Sequence, residues 1–215
     1  MKIYLLDKDV DNFRSCFIKD TSLEKKELRA FNTGRPLSIN DNTIDFSFDK
    51  ERDSLIGNVF HCWDMKGFLV DEIFYNLFSK INNSNIQFIK FQDNFYLFNN
   101  LNVISARDMN KTEFEILQGI IVGIKKHIFL NQQYPFLFQI KLPTGFVIRN
   151  YFVTDEFIKI INDNNIKGFL FEEVWDSEKD RCMTKPRREE GGQEPFRQRF
   201  CAEGSKGKAS WGSCK

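Results

Sequence analysis

A strand–helix–strand unit occurs twice in this chain, 83 residues apart, and it restricts the fold more than any other feature. The second copy runs from Asn150 to Glu178. Tyr151, Phe152 and Val153 are aromatic or β-branched and suit a half-buried strand. Thr154 stands at the N-cap position, with a hydroxyl able to accept from the first free backbone N–H groups. Asp155 and Glu156 follow at the positive end of the helix dipole. Phe157, Ile160 and Ile161 recur at i, i+3 and i+4, one apolar stripe of a short helix. Asn162-Asp163-Asn164-Asn165 stops the helix, since these side chains compete for backbone hydrogen bonds and Asn tolerates a left-handed cap. Gly168 then opens a strand through Trp175. In the first copy Val70, Asp71, Phe74, Leu77 and Phe78 stand for Val153, Thr154, Phe157, Ile160 and Ile161. Ile81 extends the stripe, Asn82-Asn83-Ser84-Asn85 is the polar stop, and Ile86 and Phe88 fall on Phe169 and Phe171.

Around these units the sequence alternates in short strand-like runs. Met1–Leu6 reads as an opening strand, Ile44–Phe48 as a short one, and Asn58–Trp63 as the strand before the first unit. Asp93-Asn94 predicts a hairpin turn into Phe95–Phe98, closed by Asn99-Asn100. Val103–Ser105, Ile120–Leu130 and Pro135–Lys141 are further strand candidates, while 107–117 is charged and ambiguous. Leu142-Pro143-Thr144-Gly145 turns into Phe146–Val153. Many short strands with few helices predict an α+β fold of mainly antiparallel sheets with a few short helices. Residues 1–178 are expected to form one domain, with 1–55 its irregular N-terminal part. Twenty-two of the 24 phenylalanines lie before residue 180, enough rings for a substantial core.

Composition changes near Lys179. Residues 179–215 contain no Ile, Leu, Val, Asn or Tyr, and carry a net charge of +5 against −4 for residues 1–178. Such a segment cannot bury enough apolar area to offset its ordering entropy, so a disordered basic tail is expected. The break points to a readthrough, a reading-frame change or an appended segment. A mildly acidic body does not look like a phosphate-backbone binder, so no direct nucleic-acid partner is expected. No run approaches the ~18 apolar residues of a membrane helix, and the opening stretch is too short for a secretory leader. With Cys16 and Cys62 far apart in sequence, reduced thiols and a cytoplasmic location are expected.

The chain holds no Walker loop, GxGxxG, HExxH or GxSxG. His61-Cys62 invites a thiol-nucleophile reading, but neighbours on a strand point to opposite faces, so Cys62 reads as a buried structural residue. His127 has no recognisable companion. Cys182, Cys201 and Cys214 lack a close pair and signal zinc only weakly; no metal or cofactor is expected. Glu172, Glu173, Asp176 and Glu178 form the densest acidic group near the end of the body. Glu172 and Glu173 lie on opposite strand faces, so at most one can point inward. The group reads either as a solvated sheet edge or as a docking patch for a basic partner.

From Val70 to Glu178 the chain resembles immunity-protein family eleven of bacterial polymorphic toxin systems, once described only as a domain of unknown function. The motifs that carry the resemblance are V-D-E-I-F-Y-N-L-F, F-Y-L-F-N, F-V-I-R-N-Y-F-V-T-D-E-F and the ending G-F-L-F-E-E-V-W. It covers roughly residues 55–178; the tail departs from it. The resemblance implies a small cytoplasmic α+β protein, not an enzyme, that binds and neutralises a cognate toxin encoded by the adjacent gene. It supplies no catalytic residues. The alternatives are an enzyme of unrecognised type using His61 and Cys62 or Glu172 and Glu173, and an interaction module unrelated to toxins.

Overall fold

The computed structural model describes residues 1–18, 33–38, 46–49, 55–63, 67–81, 85–91, 94–118 and 120–179. The strands are β1 (Lys2–Lys8), β2 (Ser15–Ile18), β3 (Phe46–Phe48), β4 (Val59–Cys62), β5 (Phe68–Asp71), β6 (Ile86–Lys90) and β7 (Phe95–Asn100). They continue as β8 (Val103–Ile104), β9 (Glu113–Leu117), β10 (Ile120–Lys126), β11 (Leu137–Lys141), β12 (Val147–Thr154) and β13 (Phe169–Asp176). Helix α1 (Glu72–Lys80) lies between β5 and β6, and α2 (Asp155–Asp163) between β12 and β13. The fold is α+β, with mainly antiparallel sheets. Among the described residues one sheet is ordered β3-β2-β4-β5-β7-β6, a second β13-β1-β12-β11-β8, and β9 and β10 form a separate hairpin.

The two large sheets are copies of one another. Read from the other side, the second is β8-β11-β12-β1-β13, and every neighbouring pair has the orientation of its counterpart in β2-β4-β5-β7-β6. The register is also shared. Val70 pairs with Tyr96 and Tyr96 with Lys90; 83 residues on, Val153 pairs with Tyr4 and Tyr4 with Glu173. Phe68–Phe98–Phe88 likewise becomes Tyr151–Leu6–Phe171. Even the linking backbone bonds recur: Leu101 N donates to Asn85 O as Asp9 N donates to Gly168 O, and Asp71 N to Asn58 O as Thr154 N to Phe136 O. In each copy the strands flanking the helix are parallel to each other and split by an antiparallel strand. The first copy takes that strand, β7, from just after the unit. The second takes β1, from the start of the chain.

Both helices start where the sequence places them, but their caps differ. Asp71 Oδ1 accepts from Phe74 N at 2.9 Å. Thr154 is the N-cap of α2 yet makes no side-chain cap bond. Asp155 instead reaches outward, accepting from Lys2 N and Tyr4 Oη at 3.0 Å each, and ties the helix start to β1. At the other end Asn165 takes the left-handed conformation, φ 52°. Two further departures concern the polar segments. Asn99 and Asn100 belong to β7 rather than ending it; Asn99 Nδ2 donates to Arg35 O and Asn100 Nδ2 to Asn102 O, while Asn99 Oδ1 is buried without a hydrogen-bond partner. Residues 15–18, within the segment expected to be irregular, form β2 because Cys16 is buried against the parallel strand β4. Readings placed on Ile44, Asn82, Asn83, Ser84, Asp93 and the tail from Asp180 lie outside the described residues.

Strand alternation sorts the core into three layers. One is shared: Phe68, Val70 and Phe98 from the first sheet meet Leu6, Tyr151 and Val153 from the second, with Phe74, Phe78, Phe157 and Ile161 of the helices. Phe68 and Tyr151, equivalent positions in the two copies, stack at 5.2 Å. The opposite face of the first sheet packs Cys16, Phe60, Cys62, Leu69 and Leu97. The opposite face of the second packs Ile3, Phe138, Ile140, Phe152 and Trp175 under Ala106, Ile128 and Phe129.

Candidate functional site

The acidic residues are brought together at the edge strand β13, and much of their charge is already answered. Lys2 Nζ lies 2.6 Å from Glu173 Oε2, and Lys179 Nζ 2.7 Å from Glu173 Oε1. Lys179, with Lys2 second, holds the Glu173 carboxyl down at about 2. Asp176 lies 4.0 Å from Lys179 and accepts from Glu178 N at 2.9 Å. Glu172 and Glu173 do occupy opposite faces, but both are exposed because β13 has a partner on one side only. Glu172 and Glu178 are therefore the members that present charge outward.

His61 and Cys62 also face opposite ways. Cys62 is buried beside Cys16, its register partner across the parallel strands, a proximity invisible in sequence. His61 instead looks into a cleft of about 340 Å³ between the two copies, lined by Asp7, Lys8, Trp63, Phe68, Arg149 and Tyr151 among others. Burial, and then the Lys8 charge, lower its pKa to about 4. Beside it Trp63 is 53% exposed and stacks at 6.4 Å on Phe17, itself 41% exposed. Exposed aromatic rings beside Arg149 make a surface of the composition favoured at the centre of protein interfaces.

A third place was not singled out by the sequence. The antiparallel bridge between Arg107 and Phe129, with Asp108 N donating to Ile128 O and Leu130 N to Ala106 O, fixes Arg107 against the second sheet. Only 6% of it is exposed. Its Nη2 lies 3.0 Å from His127 Nδ1, while Nε and Nη1 are buried without a hydrogen-bond partner. The adjacent carboxylate, Asp108, turns away to Lys111 and the Asn110 N–H. Burial alone lowers the guanidinium pKa, to about 10. Above it opens a cleft of about 710 Å³, walled chiefly by apolar side chains from β9, β10, the 142–146 turn and β12.

Among the described residues no group of His, Cys, Asp or Glu is arranged to hold a metal ion, and no helix is long and apolar enough to cross a membrane. No family model matches the chain, and no curated protein matches it.

Proposed function

We propose that this protein is a cytoplasmic immunity protein that neutralises a cognate toxin by stoichiometric binding rather than by chemistry. The family resemblance of residues 55–178 supports this reading. The observation that carries it is the exposed Trp63–Phe17 stack at the rim of the cleft between the two copies. A ring that large in water gains free energy on transfer to a partner, and Trp and Arg are the residues that most often dominate such contacts. Arg149 and Lys8, on strands from the second copy, flank it. Glu172 and Glu178, at the edge of the second sheet, would act on association rate as peripheral charges do.

Co-purification with the product of the adjacent upstream gene tests the reading. A one-to-one complex, weakened at least tenfold by Trp63→Ala, is the expected result. Protection of cells at a small fraction of an equivalent, abolished by His61→Ala with Cys62→Ala, would replace it with the enzyme reading.

A further inference from the structure

We propose that the cleft over Arg107 binds a small amphipathic monocarboxylate, its carboxylate on the guanidinium and its apolar chain along Phe114, Ile124, Pro143, Phe146 and Ile148. The two clefts share one lining residue, Asn150, but Trp63 lines only the first and Arg107 only the second, and the proposal does not depend on the toxin-binding reading. Its first support is charge. A buried cation without a counter-ion is costly, and among the described residues no carboxylate pairs with Arg107; Nε and Nη1 are unpartnered. An anion supplied from outside is the group that would remove this cost.

Shape and composition narrow the anion. The cleft's volume of about 710 Å³ lies in the range of about 300–1,000 Å³ typical of small-molecule sites. Its walls are apolar apart from Arg107, His127, Thr144 and Asn150, so the ligand's body is apolar and its charge sits at one end. A single planar carboxylate matches one guanidinium, whereas a doubly charged phosphate would leave negative charge uncompensated among Phe and Ile. His127 also lines the cleft, and because its Nδ1 faces a group that can only donate, its proton is on Nε2. Nε and Nη1 are closed off in the free protein, so a ligand reaches them only when a covering side chain moves; Met109 lines the same cleft and is flexible.

Calorimetry of the full chain with decanoate and with 1-decanol tests the assignment. Decanoate should bind with one equivalent per chain and at least about tenfold more tightly than decanol, the least expected for hydrogen bonds to a charged group. Arg107→Met should remove that preference while decanol still binds. Phe146→Asp serves as a second variant: residue 146 is 60% exposed, so the fold tolerates the change, and a carboxylate at the mouth should repel decanoate by a similar factor. Equal affinity for decanoate and decanol, or decanoate binding unchanged in both variants, would overturn the proposal. If Arg107→Met does not fold, the Phe146→Asp result decides.

Discussion

Arg107 Nη2 and His127 Nδ1 are 3.0 Å apart, and the chemistry of the two groups fixes their states. A guanidinium has no lone pair to offer, so His127 accepts and is neutral. Burial first, and the Arg107 charge second, bring the His127 pKa down to about 4. The unfolded chain would protonate this ring near 6.5. Between those values the unfolded state binds the extra proton, so stability is full above about pH 6.5 and falls as pH drops toward 4. His61 acts in the same direction over the same window. Denaturant melts from pH 8 to pH 4.5 should show this decline, and His127→Asn should reduce its slope. A flat profile would mean that neither ring is neutral because of its surroundings.

Glu173 governs a lower window. With its folded pKa held at about 2 by Lys179 and Lys2, its contribution is present above about 4.5 and lost as pH falls toward 2. Because both lysines are solvent-exposed, that contribution should also shrink with salt. Melts of Glu173→Gln at low and high ionic strength, between pH 3 and 6, would reveal it as a difference from the parent that closes with added salt.

Arg107→Met should change the stability of the free protein little, because relief of the desolvation cost of the cation offsets the lost hydrogen bond to His127 Nδ1. Equilibrium urea melts measure this directly. A loss above about 2 kcal/mol would mean that the cation is a structural element of the 106–130 segment, its long stem packing more than its charge costs.

Phe74→Ala and Phe157→Ala should each cost about 3–5 kcal/mol, since both rings are fully buried at equivalent positions in the shared layer. Values that differ by more than about 2 kcal/mol would show that the two copies do not share the load of that layer.

These rings also mark how far the sequence could be read. Phe74 and Phe157 were visible because a helix stripe repeats every 3.6 residues and its caps are local. The other strands of the duplication were not, because their spacing is not constant: Val59 corresponds to Leu137, but Tyr96 corresponds to Tyr4 at the other end of the chain. Register lives in backbone pairing, which no side-chain period records. The pairing of Cys16 with Cys62 is hidden for the same reason. Arg107 lay in a charged segment of ambiguous pattern, and His127 lacked a motif; only the bridge between Arg107 and Phe129 makes them neighbours. The acidic group is legible as a cluster, but the lysine from β1 that neutralises Glu173 comes from the opposite end of the chain.

That neutralisation sharpens the test of the acidic edge. Glu172→Lys with Glu178→Lys changes the charges that face solvent without stranding Lys2. Association with the toxin should slow at low salt, and the difference should nearly vanish at roughly 0.5 M, where screening is short-ranged. Unchanged rates would remove this edge from the interface and leave the Trp63 surface unaffected.

The joint between the two copies offers the most direct check of the architecture. Gly168 has φ +113°, and a Cβ there would meet Val59 O at 2.4 Å. Its own carbonyl accepts from Asp9 N, holding the end of β1 beside β13. A backbone oxygen at that distance cannot yield without moving β4, which belongs to the other copy. Gly145 is the control: its φ is +85°, but a Cβ there meets nothing within 4 Å. Gly145→Ala should therefore cost only the left-handed penalty, about 1–2 kcal/mol. Gly168→Ala pays a comparable backbone strain and must also push the two sheets apart, so its loss should exceed that of Gly145→Ala by at least about 1 kcal/mol. Urea melts of the two variants, measured side by side, decide the matter. Equal losses would mean that the 167–168 loop and β4 are not packed against each other, and the two copies would then be joined by their rings alone.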